Sequence, residues 1–211
     1  MGMLIRSQQK STQGRRRFFS IILVIGVIAS GIIGCTPKQR YDRMVKRELA
    51  KGIRVDSLFL GLKLGMSTRA FYSQCWELNR LGEVRQGLNN TAVFYPLNDL
   101  KYPAEMNFYP NFIDDRISEM PVRINYKDWA PWQRHLFSDS LQLDVLGLLE
   151  QWYGKGFIEV RNRHGNVTYV KVDGNRQISI YKNDDDHIWV LYKDLTASEA
   201  LPEEGRPEDI L

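Results

Sequence analysis

The 211-residue chain is 43% hydrophobic and 26% charged, a globular balance that excludes collagen-like, low-complexity and wholly disordered chains. Its formal charge of +4 sits unevenly: residues 1–34 carry Arg6, Lys10, Arg15, Arg16 and Arg17 and no acidic residue, and taking those five from 29 leaves 24 basic residues against 25 acidic ones. The near-neutral remainder carries no electrostatic footprint for nucleic acid. Two cysteines, Cys35 and Cys75, exclude a disulfide-dense scaffold and a Cys-based zinc ribbon.

Arg15 to Arg17 precede an uncharged stretch, Phe18 to Gly34, which gives the charged n-region and apolar h-region of an export signal. Ser20, Gly26, Ser30, Gly31 and Gly34 interrupt that stretch, and it falls short of the roughly 20 apolar residues that cross a bilayer. Ile32, Ile33, Gly34 and Cys35 then read aliphatic, aliphatic, small, cysteine, and this resembles the lipobox of bacterial lipoproteins. The resemblance implies that residues 1–34 are a signal peptide cut before Cys35, whose thiol takes a diacylglycerol and whose new amino terminus is acylated. Three acyl chains, at ~0.8 kcal/mol per buried methylene, exceed what stable anchoring needs. The membrane is thus an expected partner through acylated Cys35. By the same resemblance, Thr36 in place of aspartate points to the outer membrane, and the absence of an acidic run after Cys35 points to its periplasmic face. An uncleaved signal anchor is the alternative.

Between Thr36 and Arg54, Lys38, Arg40, Arg43, Lys46, Arg47, Lys51 and Arg54 outnumber Asp42 and Glu48, with thin apolar content. Residues 35–54 are expected to form a lipidated basic tether, part helical, either solvated or laid on anionic headgroups. Residues 199–211, rich in Glu and carrying Pro202 and Pro207, are expected to form an acidic disordered tail.

Residues 55–198 read as a duplicated α+β domain. In the first half Ser67 is a candidate N-cap, Phe71, Cys75 and Leu78 recur at helical spacing, and Gly82 suits the C′ position. In the second half Ser138 is the candidate N-cap, Leu141, Val145, Leu148, Leu149 and Trp152 form the stripe, and Gly154 closes it. Aromatic and β-branched runs follow each helix. Strands are expected near Thr91 to Tyr95, Ala104 to Tyr109 and Arg116 to Tyr126, then at Val167 to Val172, Gln177 to Tyr181 and His187 to Tyr192. Turn chemistry separates them: Asn98-Asp99 and Asn111 to Asp115 in one half, Asp173-Gly174-Asn175 and Asn183 to Asp186 in the other. Asn107 to Asn111 also aligns with Ser179 to Asn183. The spacing predicts two tandem helix-plus-three-antiparallel-strand repeats in one domain, both helices packing against one side of the combined sheet. Leu64-Gly65-Met66-Ser67, opening a helix that closes near Leu81-Gly82, is similar to the tandem units of β-lactamase-inhibitor-like proteins and small outer-membrane assembly lipoproteins. That likeness implies a partner in envelope assembly or an enzyme that the module inhibits.

Catalytic patterns are sparse. His135, His164 and His187 lack H-E-x-x-H spacing, and no phosphate loop or nucleophile elbow occurs. Asp184, Asp185 and Asp186 lack the spacing of an EF-hand and read as solvated turn carboxylates. Cys75 reads as core. What stands out is the connector Tyr126 to Trp132, with Trp129 and Trp132 around Pro131, together with Phe112 in the first-half turn. These four aromatics either seal the seam between the halves or anchor a protein partner. Tyr169, Tyr181 and Tyr192 offer another aromatic group. The resulting expectation is a non-catalytic, lipid-anchored envelope protein without cofactor or metal, presenting its module to an envelope protein. The alternatives are a periplasmic small-ligand-binding module and an envelope hydrolase that uses His135 with Asp128 or Asp139.

Overall fold

The computed structural model describes residues 37–161 and 165–197. The expected signal peptide, Cys35, the acidic tail and His164 lie outside the described residues. Within them three α-helices accompany one antiparallel, nine-stranded sheet. In chain order the elements are α1 (Pro37–Leu49), α2 (Thr68–Arg80), β1 (Arg85–Gln86), β2 (Val93–Leu97), β3 (Ala104–Phe108), β4 (Asn111–Ile113) and β5 (Arg116–Tyr126). There follow α3 (Ser138–Tyr153), β6 (Ile158–Arg161), β7 (Val167–Asp173), β8 (Arg176–Lys182) and β9 (His187–Asp194). The strands lie in the order β1-β2-β3-β5-β9-β8-β7-β6, and β4 pairs with β5. Two meanders therefore run inward from opposite edges, and their last strands, β5 and β9, pair at the midline.

Strand alternation assigns the two faces. Met106 and Phe108, Val122 and Ile124, Ile188 and Val190, and Ile178 and Ile180 are in phase across the register and buried together. Phe71 of α2 and Leu141, Val145, Leu148 and Leu149 of α3 complete the same core cluster, so both helices cover this face as the stripes predict. Each such side chain, fully buried, contributes about 1.5–3 kcal/mol. Buried polar ties orient α3: Tyr126 Oη donates to Asp144 Oδ2 at 2.6 Å, and Gln142 Nε2 donates to the carbonyls of Val167 and Ile180.

The basic segment expected as a tether is helical over 37–49 and docks on the opposite face. Tyr41, Met44, Val45 and Glu48 recur at i, i+3, i+4 and i+7, and Met44 packs with Val160, Val170 and Val172. Three apolar residues among cations suffice because the helix lies mainly over β6 and β7. Tyr41 Oη donates to Gln177 Oε1 at 2.7 Å, and Glu48, buried, pairs with Arg47 and Lys51. The chain then crosses the β7–β8 hairpin, where the Val55 amide donates to Asn175 Oδ1 at 2.6 Å and Arg54 pairs with Asp194 at 2.8 Å.

Caps and turns explain the remaining differences from expectation. Ser67 Oγ caps α2 by accepting from the Ala70 amide, and Gly82 takes φ +77°. Asp115 Oδ1 adds a second acceptor, for the Thr68 amide. At α3 the cap is Phe137, and Ser138 is the first helical residue; its amide donates to the Asp185 carbonyl at 2.8 Å, so a neighbouring turn supplies what a side chain does elsewhere. Asn111–Ile113, expected as turn, is strand, because Asp114 and Asp115 both adopt positive φ and close a two-residue hairpin alone. β2 begins two residues later than expected, after a 3₁₀ turn at Leu88–Asn90. Pro121, which cannot donate, falls where β5 passes from β3 to β4. The short strands β1 and β6 at the sheet's two ends have no clear period of their own and are recruited by their neighbours.

Candidate functional site

The four aromatics expected at a partner surface are placed differently. Tyr126 is 1% exposed, because it ends β5 in phase with Ile124 and alternation turns it inward, its ring edge-on to Tyr102 at 5.7 Å. Burial, then the Asp144 hydrogen bond, raise its phenol pKa well above the ordinary value, so it stays a donor. It ties β5 to α3 and is withdrawn from any partner. Phe112, half-buried on β4, packs 6.1 Å from the Phe71 ring. Trp129 is half-buried against the main core, its ring 5.9 Å from Phe137, and its Nε1 is buried with no acceptor among the described residues. Trp132 alone stands out, 82% exposed.

Beside Trp132 in the chain, Trp129, Pro131, Arg134 and Phe137 form one wall of a shallow depression of about 500 Å³, and Asp185 and Asp186 form the other. Leu136, buried within a 3₁₀ turn, pins this connector to the core, and the Arg134 guanidinium lies 5.3 Å from the Phe137 ring centre. The result is an aromatic shelf with one cation and two carboxylates at its rim.

The acidic turn is an ion-pair network. His187 Nδ1 sits 2.7 Å from Asp186 and Nε2 3.5 Å from Asp184, while Arg123 donates to Asp186 at 3.0 Å. Burial alone would raise the Asp186 carboxyl, but His187 and Arg123 together hold it below its ordinary range. Asp184, Asp186 and His187 place ligand-type atoms within 4.8 Å of one another, yet Arg123 already supplies the positive charge there. His135 is exposed and meets the Tyr102 ring at 5.3 Å; no hydrogen bond or ion pair among the described residues joins it to Asp128 or Asp139, and Asp139 pairs with Lys182. Cys75 is half-buried against the core, as its stripe predicts, and burial pushes its thiol up to about 11. The tyrosine trio divides: Tyr192 is in the core, in phase with Ile178, whereas Tyr181 pairs with Trp189 on the other face.

A second concavity, of about 530 Å³, opens on the helix-covered face at the C-terminal end of α3. Phe59, Tyr95, Met106, Trp152 and Tyr153 line it, with Arg176 as its charged group. Arg176 is 4% exposed, its guanidinium 4.6 Å from the Tyr153 ring centre. The only sequence signal for it is periodic: Arg176 is in phase with Ile178 and Ile180, so a charged residue faces the core side of β8.

No helix among the described residues is long and apolar enough to cross a membrane. Compared with family models, curated proteins and solved structures, the chain matches none.

Proposed function

We propose that this protein is a lipid-anchored, non-catalytic component of a bacterial cell envelope, held in the outer membrane through acylated Cys35 and facing the periplasm, where its α+β domain docks an envelope protein. The lipobox-like Ile32 to Cys35 supports the anchor. The observation that carries the docking role is Trp132, almost fully exposed in a Pro-containing connector whose neighbours are pinned to the core. Trp is among the residues enriched as energetic anchors at interfaces, and its large ring offers much contact area for few rotatable bonds.

The domain is, in the same reading, an internal duplication of the helix-plus-meander unit, similar to the tandem units named above. Aligning Asn107 to Asn111 with Ser179 to Asn183 equates Phe108 with Ile180. Their cross-strand partners, Val122 and Val190, are then equivalent, and these two also pair with each other. A two-fold axis through that pair supports the reading.

Two variants test the proposal in cells. Cys35→Ala abolishes incorporation of labelled palmitate and moves the chain out of the membrane fraction; continued acylation or retention sinks the anchor. A photo-crosslinking residue at position 132 yields a defined adduct with one envelope protein. Trp132→Ala lowers that affinity about 30-fold, as for a hot-spot residue, while the urea midpoint stays put, as expected of a surface change. Recovery of the protein without adduct overturns the docking role.

A further inference from the structure

We propose that the cavity at the C-terminal end of α3 binds a small aromatic monocarboxylate, its carboxylate on Arg176 and its ring between the aromatic walls. This goes beyond the docking role, lies apart from the Trp132 connector, and does not depend on it.

The volume, about 530 Å³, falls within the roughly 300–1,000 Å³ usual for small-ligand sites. Phe59, Tyr95, Trp152 and Tyr153 line it from three different parts of the chain, and rings of this kind favour edge-on or offset contact with another ring. Apolar walls with one fixed polar group are the usual composition of such a site.

Arg176 is that group, and its valence is not filled. Nη1 donates to the carbonyl and hydroxyl of Ser57, and Nη2 donates to Asp173 at 3.1 Å. Nε is buried and has no acceptor among the described residues. A guanidinium offers five donors in a planar fork that matches a carboxylate, and the unsatisfied Nε is the donor left for one oxygen of that group.

The single lining charge points the same way. Asp173 is shared, since Lys171 Nζ lies 3.0 Å from it as well. Lys171 is also nearly buried and donates to the Tyr153 carbonyl, at the negative end of α3. One carboxylate thus serves two buried cations, while Asp194, cross-strand from Arg176, is taken up by Arg54, which also pairs with Asp56. Lys171 does not line the cavity. With Arg176 as its single lining charge, the site suits one negative charge rather than a phosphate dianion.

The walls are held in advance. The 58–62 turn is closed by the Leu58 amide on the Leu62 carbonyl at 2.9 Å, with Leu60 at φ +52° and Gln74 Nε2 donating to its carbonyl at 3.0 Å. A non-glycine residue in that conformation persists only where its surroundings impose it, as they do at binding sites.

Isothermal titration calorimetry on the full chain in lipid nanodiscs, with empty nanodiscs subtracted, tests this with three probes: 2-naphthoate, 2-naphthalenemethanol and 2-naphthylmethylammonium. The acid binds at least about tenfold more tightly than the neutral alcohol, the discrimination expected of a charge-assisted pair, and the ammonium does not bind. Trp152→Ala, at a rim residue 39% exposed, weakens the acid about tenfold without moving the thermal midpoint. Arg176→Lys keeps the cation but loses the fork and also weakens it; if that variant fails to fold, the wild-type probe series and Trp152→Ala decide. Equal binding of acid and alcohol, no binding of the acid, or unchanged affinity in Trp152→Ala overturns the proposal.

Discussion

Gly174 opens the β7–β8 turn at φ +57°, and a Cβ there would lie 2.2 Å from the Ile53 carbonyl oxygen. Backbone cannot swing away as a side chain would, so both the conformation and the contact demand glycine. Gly174→Ala is expected to cost at least about 2 kcal/mol, combining left-handed strain with displacement of the crossing segment at Ile53. Gly82→Ala, also at positive φ but with open space around its Cβ, pays the strain alone, about 1–2 kcal/mol. Urea melts that rank the two equally would remove the steric argument. Asp194 makes a second residue-scale case. Burial would raise its carboxyl, but Thr196, Asn175 and Arg54 together hold it below the ordinary 3.8. A folded-state pKa below the unfolded one gives stability that is fully present above the unfolded value and is lost as pH falls through the folded one. The protein therefore loses stability below about pH 4, and Asp194→Asn costs about 1.5–3 kcal/mol at pH 7 and flattens that acid limb. An unchanged acid limb in the variant assigns the loss to other carboxylates.

Among the elements, α1 is lightly held, because its apolar contact is confined to Tyr41, Met44 and Val45 over the β6–β7 end of the sheet. Helix propensity supplies little in a segment of 13 residues, so docking decides whether it forms. Met44→Ala is expected to cost about 2 kcal/mol, the lower end for a buried methionine at an edge. Hydrogen exchange should speed up across 37–49 while β5 and β9 keep their protection. Uniform acceleration of the sheet amides would show that α1 is part of the central cooperative unit. The other helices were better advertised. Ser67 and Gly82 punctuate α2, and the α3 stripe is unbroken from Leu141 to Leu149, whereas α1 hides its three packed apolar residues among five cations.

At the scale of the whole molecule, the seam between the halves is an ordinary strand pair, β5 with β9, lying over a core cluster to which both halves contribute. Unfolding is therefore expected to be one transition, with far-UV circular dichroism and tryptophan fluorescence coincident in denaturant; two separated transitions would mean that the halves fold independently. The sequence by itself determined the class of fold, two of the helices, the six main strands and the hairpin turns, because caps, periodicity and turn chemistry are local properties of the backbone. It also bounded the charge logic, by confining the basic excess to the first 34 residues. Only the tertiary structure decided the sheet order, the docking of α1, and which aromatics face outward. Tyr126 and Trp132 are close neighbours in one connector, yet strand alternation buries the first and leaves the second in solvent. The Arg176 cavity was equally out of reach. Its walls come from the 57–60 crossing, β2, β3, α3 and β8, and a concavity exists only once segments distant in sequence are brought together.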